Sequence, residues 1–463
     1  MSENFAELLD RSSCAAPGAP ALVWEGGALT RAELALRAGG VARVLRERGV
    51  RAGDRVALSL PNGWPFAATL WGALKLGATV TPLNPRLTGE ERGRILGDLR
   101  PVTVIENVVD ARAPWPSAEA SAPALILYTS GSTGEPKGVV LSHAALTFAN
   151  RSWVGPVMGL TAADVVLAAL PLSHSFGLNG ALLAPLLAGA SVVLLGRFSP
   201  EGALAAIARH RVSVVPAVAG MFRRMLDART FDAADLGSLR AAVSGAAPCP
   251  WELAREWRAR TGVRIIRGYG STELFRPLSH LVGDPREEPE AVGRPVPGVE
   301  IAVMDEAGAP VAAGEVGELW IRTPAAMEGY LHRPDETREV LVEGWFRTGD
   351  LVIRSPEGYV SVVGRKRELI LRGGYSVVPG EIEAVLLAHP AVAEAAAVGR
   401  PHPELGEEVA AFVTLRPGAA SSPEELIAHC QARLAGFKCP RQVRIVAELP
   451  KGATGKVLKS RLS

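Results

Sequence analysis

The chain has 463 residues, 48% of them hydrophobic and 21% charged, so it has enough apolar material for more than one core. At roughly 150 residues per domain, two to four structural units are expected. The 50 Lys and Arg residues nearly balance the 48 Asp and Glu residues, and the formal charge of +2 argues against binding nucleic acid through phosphate contacts.

Cysteine usage and the N-terminal sequence indicate the compartment. Cys14, Cys249, Cys430 and Cys439 are scattered and form no CxxC pair, so neither a disulfide framework nor a cysteine zinc site is expected. The start, MSENFAELLDRSS, has acidic residues where a secretory signal needs a basic segment and an apolar run. We therefore expect a cytoplasmic protein.

The first 200 residues alternate between helical and strand-like patterns. Helices are predicted at RAELALRAGGVARVLRERG and PFAATLWGALKLGA, and strands at DRVALSL and TVTPLN, which indicates βαβ units around a parallel sheet. A further helix and strand follow near LTGEERGRILGDL and PVTVIE. The next segment, DARAPWPSAEASAPA, is rich in Ala, Pro and Ser and predicts a mobile connector.

The alternation resumes after the connector, and the whole region predicts two doubly wound α/β sheets. Further strands are expected at 125–128, 164–170, 191–195, 212–216, 241–244 and 264–266. The uncharged run from Ser175 to Gly196 is long enough to cross a bilayer. It is better explained as a helix interrupted by Pro185 and ended by Gly189, followed by the buried strand SVVLLG, so no membrane span is expected.

The C-terminal part of the sequence has a different texture. From about Gly293, alternating apolar residues between Glu-Ala-Gly and Ala-Ala-Gly turns predict a β-barrel-like part. After GRKREL, a series of strands and two helices predicts a small, separate α+β domain. We therefore predict a large N-terminal domain at 1–364 and a small C-terminal domain at 365–463.

The stretch LILYTSGSTGEPKGVVLSH, residues 125–143, carries the strongest chemical signal. A strand leads into a loop with Gly131, Gly134, Gly138, several hydroxyl side chains and Lys137. Glycines let backbone N–H groups converge on an anion, hydroxyls donate to phosphate oxygens, and lysine adds a positive charge. The loop is therefore predicted to cradle a polyphosphate, although it is not a Walker A loop because Lys137 follows Pro136.

This loop resembles the signature of the adenylate-forming superfamily, which contains acyl-CoA synthetases, aryl-CoA ligases, beetle luciferases and the adenylation domains of peptide synthetases. Other segments similar to that family follow in its order: LPLSHSFGLNG, VSGAAP, GYGSTE, GWFRTGD, GRKRELILRGGYSVVPGEIE and LPKGATGKVLK. The resemblance covers nearly the whole chain. It implies an AMP-forming ligase that joins a carboxylic acid to a thiol and uses ATP, Mg²⁺ and coenzyme A.

The resemblance also implies a nucleotide site. Tyr269 would stack on adenine, Thr272 would contact the α-phosphate, Glu273 would hold Mg²⁺, and Asp350 with Arg365 would bind the ribose. The implied ATP-binding residues are Thr129, Ser130, Gly131, Ser132, Thr133, Gly134, Lys137, Gly245, Ala246, Ala247, Tyr269, Gly270, Asp350 and Arg365.

The two half-reactions are implied to use different residues. Lys456 would reach the reacting carboxylate during adenylate formation, and the small domain would then rotate about Arg367. Gly373 and Gly374 would leave room for the pantetheine arm of coenzyme A. The implied catalytic residues are Lys456, Thr272, Glu273 and His174.

The acid remains open at this point. The implied acyl pocket contains Gly177, Leu178, Ala217, Val218 and Arg276. Its mostly small or apolar side chains favour a monocarboxylic acid with a fatty or aryl body.

The competing substrate is a malonate-type dicarboxylate. Related synthetases for it place Arg before the Tyr of the GYGSTE-like motif, where this chain has Gly268. Arg276 could recognise a polar tail, but an ion pair at the domain surface is the favoured interpretation.

Three alternatives concern the reaction itself. The thiol could belong to the phosphopantetheine of a carrier protein, or the chain could be a nucleotide-binding module without catalysis. Retention of Lys137, Glu273, Asp350 and Lys456 argues against the inactive module. An amino-acid substrate is disfavoured because LPLSHSFG has no Asp to hold an ammonium. The chain is expected to be a monomer or a homodimer.

Overall fold

The computed structural model describes residues 3–120, 123–130, 135–285, 287–373, 375–451 and 457–462. The chain forms two compact units. The first unit comprises Met1–Glu300 and Ile321–Phe346, and the second comprises Ile301–Trp320 and Arg347–Ser463.

Helices and strands alternate through most of the described chain. The helices are α1 Phe5–Ala15, α2 Arg31–Glu47, α3 Trp64–Lys75, α4 Gly89–Leu99, α5 His143–Ser152, α6 Ser175–Leu178, α7 Ala184–Ala188, α8 Pro200–His210, α9 Ala219–Leu226, α10 Trp251–Thr261, α11 Pro334–Val340, α12 Pro379–Leu387 and α13 Pro423–Gln431. Segments Trp153–Val157 and Asn179–Leu183 are π-helical, and Lys366–Glu368 and Lys459–Arg461 are 3₁₀-helical.

The strands of the larger part are β1 Pro20–Trp24, β2 Gly27–Thr30, β3 Arg55–Leu58, β4 Thr79–Pro82, β5 Thr103–Ile105, β6 Leu125–Ser130, β7 Pro136–Leu141, β8 Val165–Ala168, β9 Ser191–Leu194, β10 Val214–Ala217, β11 Ala241–Ser244, β12 Ile265–Ile266, β13 Gly268–Ser271, β14 Phe275–Ser279 and β15 Arg294–Pro295. Those that follow are β16 Glu300–Met304, β17 Val316–Arg322, β18 Gly329–Tyr330, β19 Leu341–Val342, β20 Trp345–Arg354, β21 Val360–Arg365, β22 Ile370–Arg372, β23 Tyr375–Val377, β24 Val392–His402, β25 Gly406–Leu415 and β26 Gln442–Ile445.

Two mixed sheets organise the first unit. One has the order β12-β11-β10-β8-β9-β1-β2, and its neighbours are parallel except for the β1–β2 hairpin. The other has the order β18-β7-β6-β4-β3-β5, in which β4, β3, β5 and β6 form the parallel part. Many neighbouring parallel strands are not consecutive in the chain, so crossover connections join them. This arrangement confirms the predicted doubly wound α/β architecture. The apolar strands suit it because both faces of a parallel sheet are covered by helices.

The segment predicted to be a mobile connector is instead bonded to the helices beside it. Ala113 N–H donates to Leu36 O at 3.0 Å, and Ala118 N–H donates to Lys75 O at 2.7 Å. A Cβ on Gly40 of α2 would lie 2.1 Å from the Ala111 carbonyl oxygen, so only glycine permits this approach. The Asp110 and Ser117 side chains also bond to Arg37 and Asp10. Composition alone does not indicate either kind of contact.

The uncharged run is a buried helix and strand, as predicted. Helix α6, the π-helical segment and α7 follow one another directly, and Gly189 ends α7 with φ +73°. The irregularity begins before Pro185, at Asn179. Among the described residues, no helix combines the length and apolar character that a bilayer crossing needs.

The second unit contains two sheets. In one, β17 lies between β16 and β20, and β21 pairs antiparallel with β20. The other has the order β23-β22-β25-β24 with β26 parallel to β25, and it packs with α12 and α13 around Ile382, Leu386 and Leu426. The domain boundary between 364 and 365 stays a prediction.

Candidate active site

The predicted phosphate loop joins two antiparallel strands. Strands β6 and β7 form a hairpin in which Thr129 lies opposite Lys137 and Ser130 lies opposite Pro136. The loop residues predicted to bind phosphate, Gly131, Ser132, Thr133 and Gly134, lie outside the described residues. The hairpin register therefore brings Thr129 and Lys137 together at the base of the loop.

Lys137 belongs to a cluster of charged and aromatic side chains. The Lys137 ammonium forms an ion pair with Glu336, and its Nζ lies 5.1 Å from the centre of the Tyr330 ring. The Tyr330 hydroxyl donates a hydrogen bond of 3.0 Å to Glu273 Oε1. We call Lys137, Glu273, Tyr330 and Glu336 the phosphate cluster. Lys137 and Glu273 were predicted from the sequence, whereas Tyr330 and Glu336 were not.

Backbone pairing assembles the phosphate cluster. The short strand β18 adds to the edge of β7, with Tyr330 opposite Val139. Just before it, Met327 N–H donates to the Glu273 carbonyl oxygen at 2.8 Å. Residues from the two segments therefore lie beside the phosphate hairpin although they are far from it in sequence.

The electrostatics of the cluster set the protonation states of Tyr330 and Glu336. Burial and the Glu273 carboxylate both raise the pKa of the Tyr330 hydroxyl, so Tyr330 stays a hydrogen-bond donor. Hydrogen bonds from Arg333 and then Lys137 lower the pKa of Glu336, so this carboxylate stays charged. The Lys137 side chain is 17% exposed, and Glu336 is its ion-pair partner.

The residues predicted to flank adenine and the acid meet at one edge of the larger sheet. Ala217 at the end of β10 pairs with Ser244 at the end of β11, and Val243 pairs with Ile266 of β12. The chain then continues into Val218, into Gly245, Ala246 and Ala247, and into Gly268. The carboxyl ends of adjacent parallel strands are the usual location of ligand sites in such sheets.

The GYGSTE segment forms a tight hairpin between β13 and β14. A Cβ on Gly270 would lie 1.9 Å from the Phe275 carbonyl oxygen, so the hairpin requires glycine there. Tyr269 pairs with Leu278, and Thr272 and Glu273 lie in the turn. The sequence therefore presents the predicted α-phosphate and Mg²⁺ residues side by side.

His174 and Gly177 shape the start of α6. His174 caps the helix, since its Nδ1 accepts a hydrogen bond of 3.3 Å from the Phe176 N–H. Burial lowers the pKa of His174, so the imidazole is neutral at pH 7. A Cβ on Gly177 would lie 2.2 Å from the Pro171 carbonyl oxygen, which requires glycine, and Leu178 beside it is fully buried.

Arg276 is buried, so the favoured interpretation of a surface ion pair is wrong. Its side chain donates to the Ser244 carbonyl oxygen at 2.8 Å, the Ile266 carbonyl oxygen at 3.1 Å and Ser279 Oγ at 3.0 Å. It does not pair with Glu273, because strand β14 directs it beneath the ends of β11 and β12.

The second unit holds the other predicted residues. Arg365 Nε donates to Asp350 Oδ1 at 2.9 Å, and these two residues also face each other across β20 and β21. Asp350 is only 5% exposed, and its N–H donates to Thr348 Oγ1. The predicted ribose-binding pair is therefore formed within this unit.

The residues predicted to form the hinge and the coenzyme A site are only partly described. Arg367 lies in the 3₁₀ turn Lys366–Glu368, and Gly373 has φ +57° in the turn after β22. Lys459 bonds to Glu368 at 3.0 Å and to Glu383 at 2.8 Å, which ties the turn to α12. Lys456 and Gly374 lie outside the described residues.

Known proteins resemble the chain over its whole length. Residues 9–115 and 106–331 match the model for AMP-binding enzyme, and residues 381–456 match the AMP-binding enzyme C-terminal domain. The chain is 35% identical to the sulfoacetate–CoA ligase of Cupriavidus necator, with 94% of this chain and 92% of that one covered. It is 36% identical to a feruloyl-CoA synthase of Amycolatopsis sp, with 96% and 95% covered. ATP-bound MatB from Rhodopseudomonas palustris superposes with a TM-score of 0.93 at 31% identity, covering 99% of this chain and 98% of that one.

Proposed function

The chain belongs to the AMP-binding enzyme family, as an acyl-CoA synthetase, and from this premise we propose how its residues divide the reaction. It is an AMP-forming acid–CoA ligase. A free carboxylate is a poor acyl donor because oxide would have to leave. Its oxygen therefore attacks the α-phosphorus of ATP and expels pyrophosphate, and the thiol of coenzyme A then displaces AMP from the acyl adenylate.

The phosphate cluster carries the first half-reaction in this proposal. Lys137, with the hydroxyls of Thr129 and Ser130 and the loop 131–134, holds the β- and γ-phosphates. Phosphate oxygens replace Glu336 as the partner of the Lys137 ammonium, which the ion pair already holds in place. The fixed position of the Lys137 ammonium supports this assignment. A cation stabilises the negative charge of the transition state best when it is already in place before that charge develops.

Glu273 is the proposed Mg²⁺ ligand. Its Oε1 accepts from Tyr330, and Mg²⁺ sites commonly combine one or two carboxylates with substrate phosphates, so the residues fit the ion. When bound, Mg²⁺ supplies positive charge to the polyphosphate. Thr272, next to Glu273 in the same turn, would donate to the α-phosphate, and Lys456 would act on the same oxygens.

The nucleoside is assigned to two sets of residues. Tyr269, Gly270, Gly245, Ala246 and Ala247 would surround adenine. Asp350 offers two acceptor oxygens to the ribose hydroxyls, and the bond from Arg365 keeps this carboxylate in position. The small or apolar residues Gly177, Leu178, Ala217 and Val218 would line the acid pocket. The neutral His174, which caps α6, would be a catalytic residue.

Coenzyme A is the acceptor, and the details of its site are proposals. Rotation about Arg367 would exchange Lys456 for the loop with Gly373 and Gly374. The four cysteines are free, which supports a reducing cytoplasm as the location. We retain a monomer or homodimer as the expected state.

The observation that carries the proposal is the Lys137–Tyr330–Glu273 contact, and a product assay tests the proposed reaction. The protein is mixed with ATP, Mg²⁺ and a panel of carboxylic acids, with and without coenzyme A, and pyrophosphate, AMP and acyl-CoA are measured. We expect acid-dependent pyrophosphate and, with coenzyme A, stoichiometric AMP and thioester. Pyrophosphate without thioester would favour a carrier-protein acceptor, and neither product with any acid would contradict the proposal.

A further inference from the structure

Arg276 presents an unusual charge environment for a buried side chain. It is 7% exposed and lies on β14 beneath the carboxyl ends of β11 and β12. No carboxylate among the described residues forms an ion pair with it. Arg240 in the same unit shows the ordinary solution, because its guanidinium meets the buried Asp164 at 2.6 Å. Arg276 therefore has a charge that nothing described in the protein neutralises.

Physical chemistry makes such a charge costly. Burying an ion without a counterion costs several kcal/mol, and burial lowers the pKa of Arg276 to about 9. At pH 7 the side chain is still protonated. The Trp153 ring, 5.1 Å from the guanidinium, offers only the weak attraction of an aromatic face. An anion brought to this place would recover much of the cost.

The guanidinium also has unused hydrogen-bond donors. It carries five N–H groups, and its three bonds use one hydrogen each on Nε, Nη1 and Nη2. One hydrogen on each terminal nitrogen is left, a pair that could meet the two oxygens of an oxyanion.

The position of this donor pair is beside the proposed acid site. A Cβ on Gly245 would lie 3.2 Å from Arg276 Nη1 and 3.3 Å from the Phe176 ring, and a Cβ on Gly268 would lie 2.3 Å from Arg276 Cζ. Phe176 stacks on Trp153 at 5.6 Å. We call Arg276, Trp153, Phe176 and Gly245 the pocket floor. Glycine at 245 and 268 lets the guanidinium pack directly against the backbone at both positions, where a side chain would displace it.

We propose that Arg276 is a specificity residue that binds a second anionic group, a carboxylate or a sulfonate, at the far end of the acid. This inference rests on the proposed ligase function and refines its substrate class. It replaces the purely apolar acid favoured by the sequence with one whose body is apolar and whose end is charged. The alternative is that Arg276 only ties β11, β12 and β14 together.

The test compares acids that differ only in their far end. For each chain length, kcat/KM for pyrophosphate release is measured with a dicarboxylate, the corresponding ω-sulfonate and the neutral alkanoate, such as succinate, 3-sulfopropionate and butyrate. We expect the wild-type enzyme to prefer the anionic acids at one length by at least about tenfold. The dicarboxylate and sulfonate arms show which oxyanion is bound.

Variants then separate recognition from structure. Arg276→Met should lower the preference for the anionic acid by about tenfold or more and leave the neutral acid active. The matched control is Arg267→Met, which removes another buried guanidinium, bonded to the Glu288 and Pro289 carbonyls, and should leave the preference unchanged. Gly268→Ala displaces the Arg276 guanidinium without removing it, and should reduce the preference even if Arg276→Met does not fold. Gly283→Ala, where a Cβ meets nothing, is its control.

Two failures are distinguishable. If the enzyme releases pyrophosphate with neutral acids but prefers no anionic acid at any length, or if Arg276→Met and Gly268→Ala keep the preference, Arg276 is structural and this inference is overturned. If no acid supports pyrophosphate release, the proposed function itself fails.

Discussion

Two cations of the first unit, the half-buried Lys137 and the buried Arg276, are held in opposite ways. In the phosphate cluster, Lys137 is ion-paired with Glu336 and lies over Tyr330. In the pocket floor, Arg276 meets carbonyl and hydroxyl oxygens and an aromatic ring but no carboxylate of the described residues. A cation that meets the same polyphosphate in every turnover can be held by an internal partner and exchange it. A cation that selects among acids is most selective when only the right acid neutralises it.

Lys456 should affect every acid alike, as the phosphate cluster is expected to do, and should not select among acids as the pocket floor is expected to do. Lys456→Ala should lower adenylate formation by about a hundredfold to a thousandfold for every acid, because the charge at the reacting oxygens is lost. Thioester formation from a supplied acyl adenylate should be nearly unchanged. Lys451→Ala, which breaks an ion pair with Glu394, serves as the control. Equal losses in both half-reactions would contradict the assignment.

The second prediction concerns how much the buried carboxylate of Asp164 stabilises the fold by pairing with the partly buried Arg240. Burial alone would raise the pKa of Asp164, but hydrogen bonds from Arg240, Ser213 and Thr161 outweigh it and hold this pKa at about 2. The folded pKa lies below the unfolded value near 3.9, so the pair stabilises the fold above about pH 4 and loses this effect as the pH falls through 2. Asp164→Asn should lower the free energy of unfolding by about 2 kcal/mol at pH 7.

Denaturant unfolding followed by tryptophan fluorescence at pH 7, 4 and 2.5 measures this effect. The difference between wild type and Asp164→Asn should be constant from pH 7 to 4 and shrink at pH 2.5. Asp227→Asn, in the exposed pair with Arg223, should change stability by no more than about 0.5 kcal/mol at pH 7. A difference for Asp164→Asn that stays constant down to pH 2.5 would show that Asp164 is not held ionised by its partners.

The smallest expected effect tests the link inside the phosphate cluster. Tyr330→Phe removes the hydrogen bond that positions Glu273, so kcat/KM for ATP should fall by about threefold to tenfold and the Mg²⁺ concentration for half-maximal rate should rise. Tyr128→Phe removes a similar bond to Asp98 and should leave the Mg²⁺ dependence unchanged. If Tyr330→Phe lowers stability without moving the Mg²⁺ dependence, Tyr330 is only structural.

Sequence patterns predicted the fold well where burial is continuous along the chain. Strand β11 was expected at 241–244 and occupies Ala241–Ser244, because an apolar run between turns defines a covered parallel strand. The segment before the phosphate loop was expected to be mobile and is bonded to α2 and α3. Its Ala, Pro and Ser residues carry no periodicity, and its backbone contacts leave no trace in composition.

The candidate site was predictable where neighbours in sequence are neighbours in space. The hairpin places Thr129 opposite Lys137, and one turn contains both Thr272 and Glu273. Tyr330 and Glu336 come from a segment that joins by edge pairing about two hundred residues later, so no spacing rule connects them to Lys137. The surface ion pair predicted for Arg276 was wrong although Arg276 is only three residues from Glu273. Strand β14 places its side chain beneath the ends of β11 and β12.

The most direct test of the contrast between the two regions crosses two variants with two acids. Lys137→Met and Arg276→Met are assayed with a dicarboxylate and its neutral alkanoate, and kcat/KM for pyrophosphate release is compared with wild type. We predict that Lys137→Met lowers both values about a hundredfold and keeps their ratio, while Arg276→Met collapses the ratio by about tenfold. Lys438→Met, which removes a comparable lysine paired with Glu381, controls for loss of a lysine ion pair. Equal loss with both acids in Arg276→Met, or a changed ratio in Lys137→Met, would contradict the account.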